Sequence, residues 1–267
     1  MRMRIELLGM RKIATFNING VKARLPRLLE WLEETRPAVA CLQEIKSQDE
    51  GFPIAEFEKI GYKGIWHGQK GFNGVAILAD GEMPVEVQRG LEGEPEDEHS
   101  RYLEADVFGM RVVCIYLPNG NPVPGPKFDY KLRWMDRLRR RMDAIKAEEV
   151  PAIVTGDFNV IPTDCDVWSP PAMAADALMQ PESRDAYFRL LGDGWTDAIA
   201  THNPRGGVWT FWDYQAGAWQ RDHGFRIDHA LLSPELADRL VACGVDKAYR
   251  GREKASDHTP VWVHLRD

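Results

Sequence analysis

The stretch Ala152-Ile153-Val154-Thr155-Gly156-Asp157-Phe158-Asn159-Val160 decides how the rest of the chain is read. Three apolar residues after Pro151 mark a buried strand, and Gly156 lets the backbone turn at its end. Asp157 and Asn159, two positions apart, then project to one side and set a carboxylate and an amide at a strand end. In α/β proteins the loops diverge there, and ligands and reacting groups collect there. The competing reading is an Asx-turn that closes a buried strand. What the other strand ends carry separates the two.

Working outward, the same pattern recurs. Residues 12–18 read as the first strand, ending in Asn17-Ile18-Asn19-Gly20. A helix follows through Leu28, Leu29 and Leu32, closed by Thr35-Arg36-Pro37, with Pro26 near its first turn. Val39-Ala40-Cys41-Leu42-Gln43 is an apolar strand ending at Glu44. Residues 62–67, 75–78, 85–89, 102–107 and 111–117 read as further strands, and the short spacing between them predicts antiparallel pairing. Residues 92–98 form an acidic loop, read as a solvated surface segment. A helix then carries Leu132, Met135, Leu138, Met142 and Ile145 at helical spacing, with Arg133, Arg137, Arg139, Arg140 and Lys146 on its other, solvated face. Past Asn159 an irregular segment runs through Pro162, Pro170, Pro171 and Pro181 to a helix at residues 184–191. After an aromatic run at 209–214, residues 225–232 read as a strand carrying Asp228, and Ala255-Ser256-Asp257-His258-Thr259-Pro260 leads into a last strand through Leu265. This order predicts an α/β (α+β) chain of two packed sheets flanked by helices.

Composition limits what such a chain does. Hydrophobic content of 44% and charged content of 28% are those of an ordinary soluble globular protein. At 267 residues one large domain is expected, with residues 1–10 an N-terminal extension and 11–267 the domain. The net charge of -7 argues against holding nucleic acid by bulk attraction and leaves room for a local basic face. Cys41, Cys114, Cys165 and Cys243 are far apart, with neither a zinc spacing nor a disulfide framework, as buried thiols in a reducing cytosol would be. The N-terminus is too poor in apolar residues for a signal peptide or a membrane span, so a cytoplasmic location is expected.

Strand ends and adjoining loops offer Asn17, Glu44, Tyr116, Asp157, Asn159, Asp228, Asp257 and His258. This oxygen-rich, cysteine-free set suits a hard cation, Mg²⁺ or Mn²⁺, and suits zinc poorly. A hard cation beside His and Asp is what phosphodiester hydrolysis needs: a polarised phosphate, an activated water and help for the leaving oxygen. His258 ordinarily titrates near neutrality, and Asp228, if close, fixes its tautomer.

The set Phe16-Asn17-Ile18-Asn19-Gly20, Leu42-Gln43-Glu44, Gly156-Asp157-Phe158-Asn159, Arg226-Ile227-Asp228 and Ser256-Asp257-His258-Thr259-Pro260-Val261 resembles the exonuclease III family of abasic-site DNA repair endonucleases, within the endonuclease/exonuclease/phosphatase superfamily. Three further pieces resemble that family: the hairpin His67-Gly68-Gln69-Lys70-Gly71-Phe72-Asn73-Gly74-Val75-Ala76, the loop Tyr116-Leu117-Pro118-Asn119-Gly120, and Thr210-Phe211-Trp212-Asp213-Tyr214 with Gly224-Phe225-Arg226-Ile227-Asp228. The resemblance implies a four-layer αββα sandwich of two mixed β-sheets. It implies Mg²⁺-dependent hydrolysis of the phosphodiester 5′ to an abasic site in double-stranded DNA, leaving 3′-OH and 5′-deoxyribose phosphate, with 3′-to-5′ exonuclease activity and cleaning of blocked 3′ ends as companions in base excision repair.

Residue by residue, it implies a metal on Glu44 with Asn17 and Asp257 nearby, one metal at a time, with Mn²⁺ able to substitute. Asp157 would orient or deprotonate the water, and Asn159 would support the water or the phosphate. His258, oriented by Asp228, and Tyr116 would stabilise the pentacovalent phosphate; the choice of base between Asp157 and His258 stays open. Phe211, Phe225 and Ile227, supported by Trp212, would form a pocket that admits a baseless sugar and excludes a nucleotide carrying its base. Asn119 would contact phosphate, and Arg24, Lys46, Lys70 and Arg101 would gather DNA contacts on this face. The segment from Cys165 to Ser183 is expected on the DNA side. A monomer is expected, because a duplex must lie across an open face, and no membrane is involved. Two rivals remain on sequence: a superfamily phosphoesterase for a small or lipid phosphoester, and a catalytically silent DNA-binding module. The pocket motif beside Asp228 weighs against the first, and the complete acid, amide and histidine set against the second.

Overall fold

A computed structural model describes residues 9–267; of the expected 1–10 extension, residues 1–8 lie outside the described residues. Two six-stranded mixed sheets pack face to face with helices outside, the four-layer sandwich expected. The first sheet, in chain order, holds β1 (Met10–Asn17), β2 (Val39–Gln43), β3 (Tyr62–His67), β4 (Val75–Asp80), β11 (Leu240–Val245) and β12 (Val261–Arg266). Its spatial order is β11-β12-β1-β2-β4-β3. The second holds β5 (Val85–Arg89), β6 (Tyr102–Val107), β7 (Met110–Tyr116), β8 (Ala152–Asp157), β9 (Thr196–Asp197) and β10 (Asp228–Leu232). Its order is β5-β6-β7-β8-β10-β9. Among the described residues no helix is long and apolar enough to cross a membrane.

Alternation along the strands sorts residues between layers. Ile13, Cys41, Ile77, Val112, Cys114, Ile153 and Val263 fill the space between the sheets. Their strand neighbours Ala14, Ala40, Leu42 and Leu78 face α1 (Val21–Thr35) and α2 (Ile54–Lys59). On the other outer face, Val113, Ile115 and Val154 meet α3 (Pro126–Ala147) and α4 (Pro181–Gly192). Each fully buried aliphatic side chain contributes about 1.5–3 kcal/mol against exposure. The helix–strand order therefore places polar residues at strand ends by default, because both faces of the central strands are occupied.

Several expectations are corrected. The run of strands from residue 62 to 117 is antiparallel, but the chain changes sheet within it: β3 pairs β4, while β5, β6 and β7 belong to the second sheet. β1 begins at Met10, because β12 extends far enough to offer Arg266 as its partner. Pro26 is inside α1 rather than in its first turn, since the helix starts at Val21, where Gly20 and Val21 N–H groups bond the carbonyls of Glu44 and Ile45. Arg137 is buried, not solvated. It donates to Asp97 at 2.8 Å and to the Glu92 carbonyl at 2.8 Å, so the acidic loop is clamped onto α3 by charge. Gly156 is a paired strand residue rather than a turn. A Cβ there would sit 2.0 Å from the Ile115 carbonyl oxygen, so only glycine lets β7 come this close.

Candidate active site

Parallel pairing of β1 with β2 and of β7 with β8 puts four strand ends at one edge of the sandwich. In the second sheet Tyr116, Asp157 and Asp228 stand side by side on neighbouring strands, since Asp157 pairs with Tyr116 on one flank and Asp228 on the other. In the first sheet Asn17 ends β1, Glu44 follows β2, and His258 precedes β12. Strand contacts across the sandwich, β1 to β8 and β2 to β7, bring the two sets together.

Hydrogen bonds and one longer charge contact link most of these residues. Asn17 Nδ2 donates to Glu44 Oε1 and to Asp157 Oδ2, 3.0 Å each. Lys46 Nζ lies 2.8 Å from Glu44 Oε2 and 2.5 Å from Asn19 Oδ1, and Asn19 Nδ2 donates to Asp257 Oδ1 at 3.1 Å. Asn19, Glu44, Lys46 and Asn159 all hold left-handed backbone, uncommon for residues with a side chain and tolerated where surroundings fix it. His258 Nδ1 is 2.8 Å from Asp228 Oδ2, and its Nε2 is 3.7 Å from Asp157 Oδ2. Ligand atoms of Glu44, Asp157 and His258 converge within 4.8 Å of one another. Asp257 lines the same cleft outside that trio.

The burial of these groups reshapes their acidity. Burial raises the Asp157 carboxyl to about 7, with Asp228 and Glu44 adding to the rise and His258 opposing it. Burial alone would lower His258, but the carboxylates of Asp228, Asp157 and Asp257 outweigh it and raise the imidazolium to about 10. Glu44 feels burial too, yet bonds from Lys46 and Asn17 hold it below the usual carboxylate range. Burial, with Glu44 and Asp157 beside it, pushes the Tyr116 phenol well above its ordinary value, so it stays a proton donor. Near neutrality the edge thus holds an imidazolium, a phenol O–H and a carboxylate able to take a proton.

The amides are loop fasteners. Asn159 N–H donates to Asp157 Oδ1 and Asn159 Nδ2 to the Leu117 carbonyl, 2.9 Å each, while Asn119 Nδ2 donates to Asn159 Oδ1 at 3.2 Å. The buried amine of Lys131 donates to the Asn119 and Asn159 carbonyls, tying both loops together. Burial lowers that amine to about 7.

Phe211, Phe225 and Ile227 line a cleft of about 680 Å³ with Glu44, Asp157 and His258. The Phe211 ring is 4.7 Å from Phe225 and edge-on to His258 at 5.0 Å. Behind this wall Arg226 is pinned between Asp166 and Asp197, 2.7 Å from each. Trp212 is buried and off the cleft, its Nε1 donating to Asp222 at 2.9 Å. The residue 165–183 segment also lines the cleft, through Trp168, Met173, Asp176 and Leu178. Of the expected DNA-facing cations, Lys46 is paired to Glu44. Arg101 lies 4.8 Å over the Tyr116 ring, Arg24 donates to the Tyr214 hydroxyl at 3.2 Å, and Lys70 is exposed on the hairpin between β3 and β4. Sequence reading passed over Lys131, Trp168 and His223. The only sequence signal for Trp168 was a large aromatic among prolines, and nothing linked it to His223.

The family model described as the Endonuclease/Exonuclease/phosphatase family matches residues 14–258. Exodeoxyribonuclease III of Haemophilus influenzae is 34% identical over 270 residues, covering 96% of this chain and 100% of that protein. The structure of an AP endonuclease from Archaeoglobus fulgidus is 38% identical, with TM-score 0.91 over 96% of this chain and 99% of that one. The 3′ phosphatase NExo from Neisseria, bound to a product DNA hairpin, is 34% identical with TM-score 0.93, over 96% and 100%.

Proposed function

Since the chain belongs to the endonuclease/exonuclease/phosphatase family, we propose that it is a DNA repair nuclease that hydrolyses the phosphodiester 5′ to an abasic site in double-stranded DNA. The observation that carries this reading is one cleft in which the Glu44, Asp157 and His258 trio meets the apolar wall of Phe211, Phe225 and Ile227. A baseless sugar flips out at low cost and fits such a wall, whereas a nucleotide carrying its base is excluded by size.

Asp157 takes a proton from water as the water attacks phosphorus, and the bond to the 3′ oxygen breaks. Its raised acidity range suits a base working near neutrality. Imidazolium His258, held by Asp228, and the Tyr116 hydroxyl donate to the phosphate oxygens as negative charge builds on them. Asn159 and Asn119 keep the loops that carry these groups in register. The donor set fits Mg²⁺: oxygen ligands without thiolates, and a Glu44 carboxylate that already attracts a cation, the Lys46 amine. Glu44 would hold the ion with Asn17 and Asp257 beside it, one ion at a time, and Mn²⁺ would substitute. When bound, the ion supplies Lewis-acid polarisation of the phosphate and neutralises the leaving oxygen. Trp212 backs the pocket wall, and Arg24, Lys46, Lys70 and Arg101 meet the DNA backbone. The protein acts as a monomer, in the cytoplasm on nucleoid DNA, where its buried thiols Cys41 and Cys114 stay reduced.

A second reading, processing of 3′ ends by the same residues, is favoured by the full-length likeness to a 3′ phosphatase. One experiment separates the two: a labelled duplex with a central abasic analogue, incubated with Mg²⁺ or EDTA, beside an undamaged duplex. Incision only at the lesion, only with metal and lost in Asp157→Ala is expected. Trimming of undamaged 3′ ends without incision would give the second reading the principal role, and hydrolysis of a soluble phosphoester uncompeted by abasic duplex would overturn both.

A further inference from the structure

Trp168 has no part in the catalytic scheme, yet it lines the same cleft as Asp157 and His258. Its indole is stacked on the His223 imidazole, with ring centroids 3.7 Å apart and planes 1° from parallel. One face is covered by His223, and the side chain is still 40% exposed. Indole carries a large apolar area whose burial is favourable, so a tryptophan held partly in water inside the catalytic cleft offers a surface for a flat ligand.

The backbone makes this platform stiff. The Trp168 N–H donates to the Gly224 carbonyl at 3.0 Å, and the His223 N–H to the Ala218 carbonyl at 2.8 Å. Next to His223, Asp222 is tied to Trp212 and Lys247. Next to Trp168, Val167 bridges Phe225, Phe225 bridges Phe211, and Phe211 bridges His258. Three strand spacings therefore separate Val167 from His258, about 15 Å. Along one DNA strand this is roughly two to four nucleotides, depending on how far the strand is stretched.

We propose that Trp168, backed by His223, is a base-stacking subsite that takes the face of a nucleobase roughly two to four nucleotides from the scissile phosphate. The inference rests on the nuclease reading above and deepens it. Phe211 and Phe225, tilted 32° to each other, enclose an apolar corner suited to a sugar, whereas Trp168 offers one plane, continued by a parallel ring behind it. A flat π surface binds any base and does not discriminate sequence. The two aromatic pairs then divide the work: one accepts the nucleotide that lacks a base, and the other requires a neighbour that has one.

The test is a thermodynamic cycle. Wild type and Trp168→Ala are titrated in EDTA with duplexes carrying the abasic analogue and a second baseless position, moved one nucleotide at a time to either side. On the duplex with every other base present, Trp168→Ala is expected to weaken binding about fivefold or more, and Trp168→Phe to keep most of the affinity. That loss should vanish on one member of the series, where the stacked base is already missing. Equal loss on every member, or loss on none, overturns the subsite. Should Trp168→Ala fail to fold, Trp168→Leu against Trp168→Phe gives the same cycle, the leucine losing what the phenylalanine keeps. Wild-type incision with Mg²⁺ checks the underlying reading separately. If that fails and only 3′ ends are trimmed, the series is run behind a 3′ end, and the same single silent position is required.

Discussion

Asp228 and His229 are neighbours in the chain: the first raises the imidazole of His258, and the second is an imidazole that is itself held low. Asp228 raises His258 by charge, and Asp228→Asn keeps the shape of that contact while removing the charge. The incision rate at saturating DNA is expected to fall about a hundredfold or more with a much smaller change in KM. The alkaline limb of the pH–rate profile, set by loss of the His258 proton, should move to lower pH; an unmoved limb would assign it to another group. His229 is buried and kept neutral. Arg226 Nη1 donates to its Nδ1 at 2.9 Å, so its Nε2 carries the proton and donates to the Val160 carbonyl at 2.9 Å. Burial, with Arg226 beside it, lowers its pKa to about 4. The unfolded chain therefore takes this proton first, near 6.5, and stability is lost as pH falls from about 6.5 toward 4, by about 3 kcal/mol. Thermal unfolding followed across that range should show the loss in wild type and a flatter curve in His229→Gln.

At the scale of strands and loops, legibility followed burial only in part, since β5 was read to the residue although its side chains are mostly exposed. β3 and β6 could also be read to the residue, and the site could be read because each polar group punctuates an apolar strand, as Glu44 does after Val39–Gln43. β11 was missed: its side chains are mostly half-buried and Gly244 interrupts it, so it has no clean period. The buried role of Arg137 was missed because an ion pair to a distant acidic loop leaves no periodic trace. Trp168 and His223 are remote in sequence and meet only through folding. At Gly156 a glycine that looked like a turn is a spacing device. Gly156→Ala is expected to push β7 from β8 and lower stability by about 3 kcal/mol or more, read as a drop in melting temperature. An unshifted melting point would mean that Ile115 moves aside freely.

For the whole molecule, the apolar clusters of the described residues contain none of the groups proposed to hold the metal, Asn17, Glu44 and Asp257. Chelation is therefore expected to abolish cleavage and leave the unfolding transition nearly in place; a large fall in melting temperature under EDTA would make the ion structural. With a net charge of -7, attraction to DNA must be confined to one face. Replacing Arg24, Lys70 and Arg101 together by glutamine should reduce the salt dependence of duplex binding by roughly one unit of log slope per lost phosphate contact. The two sheets divide the proposed site groups evenly: Asn17, Glu44 and His258 come from one, and Tyr116, Asp157 and Asp228 from the other. Hydrolytic power is thus a property of docking. A chain in which one sheet has formed alone would carry half of the proposed constellation, so cleavage is expected to wait until the sandwich has closed.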